Sequence, residues 1–241
     1  MKKETLNKIE ELRNYFNYLS ALDFETKKVI QSKLDEIIIC EMNEQKIGKF
    51  NLYDFCENSK RPLRPVFTGV YHKNGYKYAT NAHILCRIKQ NYNSELEDNI
   101  VLKDGSIFKK DEYTRLPNYD AVIPTDLTDY TAINIDLSKF PQWSKEAKLH
   151  KKLCKQQHQQ SMQLVCMGND ILTTLAFDLL NTAAPAMKEI GTDKIYVHNK
   201  YRFKPAVIKT DDCEIVILPH SFIITEDYMA KENINVKWFT I

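Results

Sequence analysis

Residues 64–89 read RPVFTGVYHKNGYKYATNAHILCRIK, and how this stretch folds decides how the rest of the chain folds. Asn74-Gly75 separates two runs rich in aromatic and β-branched residues, and both residues tolerate the positive φ that a two-residue type I′ turn demands. The spacing therefore predicts a hairpin with strands Val66–Tyr71 and Tyr76–Thr80. A third strand, Ile84–Ile88, follows across the small polar corner Asn81-Ala82-His83.

These residues resemble the middle domain of the bacterial DNA polymerase III beta subunit, the sliding clamp. That family typically reads RPVLTGV and then ATDGHRLA, against Arg64–Val70 and Ala79–Leu85 here. Two more segments match in the same order. Leu116–Pro124 is similar to the family's interdomain FPDYRxVIP, and Lys204–Ile208 with Glu214–Pro219 is similar to its last strands, which end hydrophobic-Pro-hydrophobic. The resemblance spans roughly residues 45–222. Ile84 stands where the family usually has arginine, which removes a charged donor from that place.

Outward from the matched segments, the chain divides into four parts. In residues 1–44, Leu6, Ile9, Leu12, Phe16 and Leu19 recur at helical spacing. Asp23 suits the N-cap of a second helix carrying Val29, Ile30, Leu34, Ile37, Ile38 and Met42. This predicts a helical hairpin that either covers the sheet or serves dimerisation or partner docking. Residues 45–124 predict a truncated clamp-like domain: a strand Lys46–Phe50, a helix near Leu52–Asn58, the three strands above, no helix in 91–115, and an extended connector Pro117–Pro124. Residues 125–222 predict a full clamp-like domain of order βαβββαβββ. Its elements are a strand Tyr130–Leu137, a helix from Pro141 to about Gln159, a hairpin about Gly168-Asn169, a helix Thr182–Ile190 closed by Gly191, and three final strands. The fold class is α+β, with antiparallel sheet and helices on one face. The tail, 223–241, is too apolar for a solvated end; with Phe222, it holds Ile223, Ile224, Tyr228, Val236, Trp238, Phe239 and Ile241. It is expected to pack on the chain's own body or to fill a pocket in cis.

Composition bounds the chemistry. The 241 residues are 43% hydrophobic and 27% charged with a net charge of +2, ordinary for a globular chain with a real core. No apolar run is long enough to span a bilayer. The cysteines, Cys40, Cys56, Cys86, Cys154, Cys166 and Cys213, form no Cys-x-x-Cys pair, the pattern of free thiols in a reducing compartment. A cytoplasmic protein is expected. No Gly-rich phosphate loop, nucleophile elbow or His-Glu-x-x-His occurs, so no catalytic residue and no cofactor are predicted.

Charge is concentrated in one helix. Residues 139–160 hold Lys139, Lys145, Lys148, Lys151, Lys152 and Lys155 against one acid, Glu146, so this stretch carries +5 and the remainder −3. At about 100° per residue the five lysines from 145 onward fall within roughly 120°, with Trp143, Ala147, Leu149, Leu153 and Cys154 opposite. Such a face can neutralise the phosphates of duplex DNA without reading bases; it can also be a solvated surface. In the clamp family helices line the DNA channel, which favours the first reading. His150, Cys154 and His158, at i, i+4 and i+8, are metal-capable, but no fourth ligand lies beside them and packing is the commoner use.

The resemblance also implies a hydrophobic pocket for short partner peptides, carried by a polymerase or another protein. On the matching positions this pocket comprises Thr80, Ala82, His83, Leu85, Pro117, Val122, Leu218, Pro219 and His220. The function implied is that of a non-enzymatic clamp-like processivity or adaptor protein in DNA replication, in which a homo-oligomer would be needed to encircle DNA. The alternative is a protein-interaction module of clamp fold that binds no DNA.

Overall fold

The architecture is taken from a computed structural model. It describes residues 12, 14, 24–30, 32, 34, 46–47, 50–62, 64–90, 96–110, 114–156, 161–167, 173–201, 203–219 and 235–240, with backbone alone for 46–47, 150–151, 153–156, 161–167 and 235–240. Of the N-terminal hairpin, the described residues are all helical. Leu34 is buried as its stripe predicts, whereas Val29 of the same stripe is exposed.

The chain's centre is an eight-stranded antiparallel sheet. Its strands are β3 (Val70–Lys73), β4 (Tyr76–Thr80), β5 (Ile84–Lys89), β6 (Ile100–Val101), β7 (Tyr130–Asn134), β10 (Lys194–His198), β11 (Ala206–Lys209) and β12 (Cys213–Ile217), in the spatial order β6-β3-β4-β5-β12-β11-β10-β7. A two-stranded ribbon, β1 (Lys46–Ile47) with β2 (Phe50–Asn51), precedes it. A separate three-stranded sheet joins β8 (Ser161–Met167), β9 (Thr173–Ala176) and β13 (Asn235–Thr240).

The β3–β4 turn forms as expected, with Asn74 at φ 52° and Gly75 at φ 74°. The two halves of the sheet meet where β5 pairs with β12, from Ile84↔Ile217 to Ile88↔Cys213. Alternation along these strands then assigns the faces. Ile84, Cys86, Ile88, Cys213, Ile215 and Ile217 point into the main core, and Leu85 and Val216 point to the opposite side. Two helices supply the main core's other wall: α1 (Phe140–Gln156) through Phe140 and Ala147, and α2 (Phe177–Glu189) through Phe177, Leu180, Ala183, Ala184 and Met187. Rings of Phe140, Trp143 and Phe177 meet at centroid separations of 5.5–6.3 Å. Cys56, Cys86 and Cys213 are buried free thiols of this core.

Several local expectations are corrected. Leu52–Phe55 is a single 3-10 turn capped by Asn51, and Pro65–Phe67 is another, so β3 begins only at Val70. Pro65 holds the φ that suits the first position of a helical turn. The connector is extended at its ends but turns at Asp120–Val122, because a proline restrains only its predecessor and leaves 119–122 free to coil. β7 stops at Asn134, where Asp136 accepts from Ser138 N at 3.0 Å and starts the turn into α1. α2 begins at Phe177 rather than Thr182 and carries Pro185 inside it; the stripe Phe177, Leu180, Ala184, Met187 is buried on one side, and that burial outweighs the lost backbone bond. Gly191 closes it at φ 70°.

From β7 to β12 the described residues run βαββαβββ, one strand short of the expected order. The tail segment β13 lies parallel to β8, from Asn235↔Ser161 to Thr240↔Cys166. Residues 235–240 are thus committed to the chain's own body. Residues 220–234 lie outside the described part.

Candidate peptide pocket and lysine face

The pocket is built on the outer face of the central sheet, at the β5–β12 seam. Its floor begins with the corner after β4. Thr80 Oγ1 donates to Ile84 O (2.6 Å) and accepts from Ala82 N (3.0 Å), while Asn81 Oδ1 accepts from His83 N (3.0 Å) and Ile84 N (3.1 Å). Leu218 N donates to His83 O at 2.9 Å, which ties the corner to the end of β12. All this holds Ala82 at φ 75°, a left-handed conformation that a Cβ disfavours. Ala82→Gly is therefore expected to raise unfolding stability by about 0.5–1 kcal/mol in urea denaturation, the strain relieved exceeding the added freedom of the unfolded chain. A loss of stability would mean that the corner carries no strain.

The connector supplies the opposite wall. Tyr119 stacks on Tyr71 and Tyr78, each with centroids 5.3 Å apart, and Tyr78 Oη donates to Asp120 Oδ1 at 2.8 Å. Burial, then the hydrogen bond to Asp120, pushes the Tyr78 phenol up to about 12, so it stays a donor throughout the neutral range. Arg87 bridges the two walls. It donates to Asp120 Oδ1 (3.0 Å) and through Nε to Glu214 Oε2 (2.6 Å), and its guanidinium lies 4.8 Å from the centre of the Tyr76 ring. Lys209 reaches the other oxygen of Glu214 at 2.9 Å.

Between corner, connector and β12 lies a cavity of about 150 Å³. Of the nine residues expected there, Thr80, Ala82, His83, Leu85, Pro117, Val122 and Leu218 line it, Pro219 does not, and His220 lies outside the described residues. Arg64, Phe67, Ile84, Asn118, Tyr119 and Val216 also line it. Period-two alternation in β12, with Val216 and Leu218 on one face, could have found Val216 from sequence. Arg64 and Phe67 belong to a matched segment whose turn brings them round only in three dimensions. The lining is apolar but for Thr80, Asn118, His83 and Arg64, and it holds no acid. Ile84, at the family's arginine position, is buried with its side chain in the main core. A second hollow of about 470 Å³ adjoins the cavity, sharing Val122 and Leu218 and lined further by Asp126, Asp129, Tyr130, His198 and Lys204.

The lysine face is only partly on view. Lys145, Lys148 and Lys152 are exposed along α1 and reach no carboxylate among the described residues. Lys139 lies 3.8 Å from Asp136, and the side chains of Lys151 and Lys155 lie outside the described part. Trp143 and Ala147 face the core as expected. Leu149 does not; it is 60% exposed beside the lysines. The side chains of His150, Cys154 and His158 are likewise outside the described residues, and among the described residues no three metal-capable side chains converge. No described helix is long and apolar enough to cross a membrane.

This arrangement of sheet, paired helices and connector is similar to that of solved DNA clamps. The DNA polymerase III beta chain of Streptococcus pneumoniae superposes with a TM-score of 0.50 at 14% identity, over 76% of this chain and 63% of that one. The sliding clamp of Bacillus subtilis gives 0.47 at 14% identity over 78% and 63%, and the Helicobacter pylori beta clamp, solved with a DNA ligase peptide, 0.44 at 12% over 77% and 63%. On the Streptococcus pneumoniae match the chain has the fold of the DNA polymerase III beta sliding clamp, in a divergent form, and it spans about 63% of that clamp's length. No protein-family model and no curated protein sequence matches it.

Proposed function

We propose that the protein is a non-enzymatic, clamp-like adaptor of DNA replication that docks an apolar partner peptide in the corner-connector cavity and rests the lysine face of α1 on duplex phosphates. The observation that carries this reading is the convergence of three segments far apart in sequence, Thr80–Leu85, Pro117–Val122 and Val216–Leu218, on one apolar concavity with Val122 and Leu218 at its lip. A short peptide with two apolar side chains fits such a site, because anchors buried in a pre-formed hollow cost little rearrangement. Arg64 and His83, with no acid in the lining, favour an acidic residue beside those anchors.

The duplex reading rests on the solvent-facing ammonium groups of Lys145, Lys148 and Lys152, to which Lys139, Lys151 and Lys155 would add. Such contacts position a duplex without sequence preference. A polymerase or similar replication protein in the cytoplasm is the partner this chemistry suits, and closure around DNA would require further copies of the chain. A second reading, a peptide-docking module that meets no DNA, is favoured by the Lys139–Asp136 pair and by exposed Leu149, both of which weaken a purely cationic face.

Duplex binding measured against salt separates the two. The parent should lose affinity steeply, and Lys145→Ala, Lys148→Ala and Lys152→Ala combined should flatten the log–log slope by about 0.9 per phosphate contact removed. Salt-independent binding, or a slope untouched by the triple change, eliminates the duplex role and leaves the docking module.

A further inference from the structure

The β10–β11 loop takes no part in the sheet, the lysine face or the corner-connector cavity. From His198 it reads His-Asn-Lys-Tyr-Arg-Phe-Lys, so Lys200, Arg202 and Lys204 alternate with Tyr201 and Phe203, and no acid interrupts them. Arg202 lies outside the described residues. Tyr201 is 61% exposed and Phe203 54%. Two large aromatic side chains exposed to this extent two residues apart need a reason, since residues of this size are ordinarily much more buried.

The loop is held in shape from below. His198, itself largely buried, accepts at Nδ1 from Lys200 N (3.0 Å) and Tyr201 N (3.2 Å), which requires that nitrogen to be unprotonated. Its ring meets those of Tyr130 and Tyr201 at 5.0 and 5.1 Å between centroids. Lys204 N donates to Tyr201 O at 3.1 Å and closes the turn. Tyr201 is therefore pre-oriented, one part of its ring against imidazole and the rest offered outward. Lys204 and His198 also border the hollow of about 470 Å³.

We propose that this loop binds single-stranded nucleic acid, with bases stacked on Tyr201 and Phe203 and phosphates held by Lys200 and Lys204. Flat rings alternating with cations match the repeat of a single strand, whose bases offer free π-faces and whose backbone offers a charge per nucleotide. A duplex keeps its base faces in its own stack and would leave both rings unused. An apolar peptide would gain nothing from the cations. Lys200 is shared with Asp129 at 3.2 Å, but both ends of that pair are largely exposed, so a phosphate can replace the carboxylate at little cost.

Anisotropy of a short fluorescent oligothymidylate with the full chain tests this. Tyr201→Ala combined with Phe203→Ala should weaken binding of the single strand while leaving binding of a duplex of equal length as in the parent. Tyr201→Ala and Phe203→Ala should each weaken binding by about tenfold or more, while Tyr201→Phe retains it. Lys200→Ala with Lys204→Ala should lower the salt slope by about 0.7 per lysine. An oligonucleotide carrying 5-iodouracil should crosslink to Tyr201 or Phe203. All these positions are on the surface, so an unchanged melting temperature separates lost binding from lost folding. The proposal is overturned if the Tyr201→Ala/Phe203→Ala chain binds oligothymidylate as the parent does, if the crosslinks map elsewhere, or if the double change abolishes only the binding of an apolar peptide.

Discussion

Replacing Lys77 by Met is expected to stabilise the protein at pH 7 by on the order of 3 kcal/mol and to abolish the rise in stability that the parent shows between about pH 7 and 10.5. Lys77 lies on β4, directly across from His72 on β3 and Ile88 on β5, and only 2% of its surface is exposed. Strand alternation turns it to the same side as Ala79, into the main core, and no carboxylate among the described residues meets it. Burial depresses the amine from 10.5 to about 7. The unfolded chain keeps the Lys77 proton up to its ordinary value while the folded chain begins to give it up near 7. The unfolded state therefore binds more protons across that window, and stability climbs with pH through it. The penalty is fully present below about 7, which is why an apolar side chain of similar length is favoured there.

His72 adds a second, acid limb. Burial first, then the Lys77 charge, pushes the imidazole from 6.5 down to about 3, and its Nε2 meets no hydrogen-bond partner. Stability should accordingly fall as pH drops from 6.5 towards 3, since the unfolded imidazole takes up a proton that the folded one refuses. Urea titrations of the parent and of Lys77→Met at a series of pH values read both limbs. If the alkaline rise persists in the variant, Lys77 is not its source.

Arg87→Ala is expected to cost about 3 kcal/mol and to loosen the connector that walls the candidate peptide pocket. Most of that cost comes from Glu214, whose side chain is 9% exposed and would keep only Lys209 as a cationic partner. The Asp120 limb contributes less, because that carboxylate is half in water. Its loss matters differently: Asp120 would be held by Tyr78 alone, and the turn Asp120–Val122 carries the cavity wall. Arg87→Lys should recover charge but little of the geometry, since an ammonium cannot fork between two carboxylates while lying over the Tyr76 ring. Amide hydrogen exchange at residues 119–123 separates the effects. Faster exchange there in Arg87→Ala than in the rest of the sheet is the expected result, and uniform acceleration would show that Arg87 serves global stability alone.

Much of this fold was legible in local chemistry. Asn74-Gly75 forces its hairpin by positive φ, Gly191 ends its helix by the same freedom, and the apolar alternation of β5 and β12 assigns their faces. The candidate pocket was legible only through matched segments, because residues such as Thr80, Pro117 and Leu218 carry no signature of their own. Errors fell where neighbours decide: Leu149 has the right period for a core position yet stands exposed, and the helix expected from Thr182 begins at Phe177 because α2 has a core face to bury there.

Sequence by itself determined the turn conformations and the faces of the strands, since turn φ values, proline restraints and hydrophobic period depend on a residue and its near neighbours. Tertiary structure alone decided the join of β5 to β12, the parallel seat of β13 on β8, the bridging of Asp120 and Glu214 by Arg87, and the burial of Lys77. Each of these depends on which distant groups share a small, water-poor volume, and only the folded chain's packing specifies that.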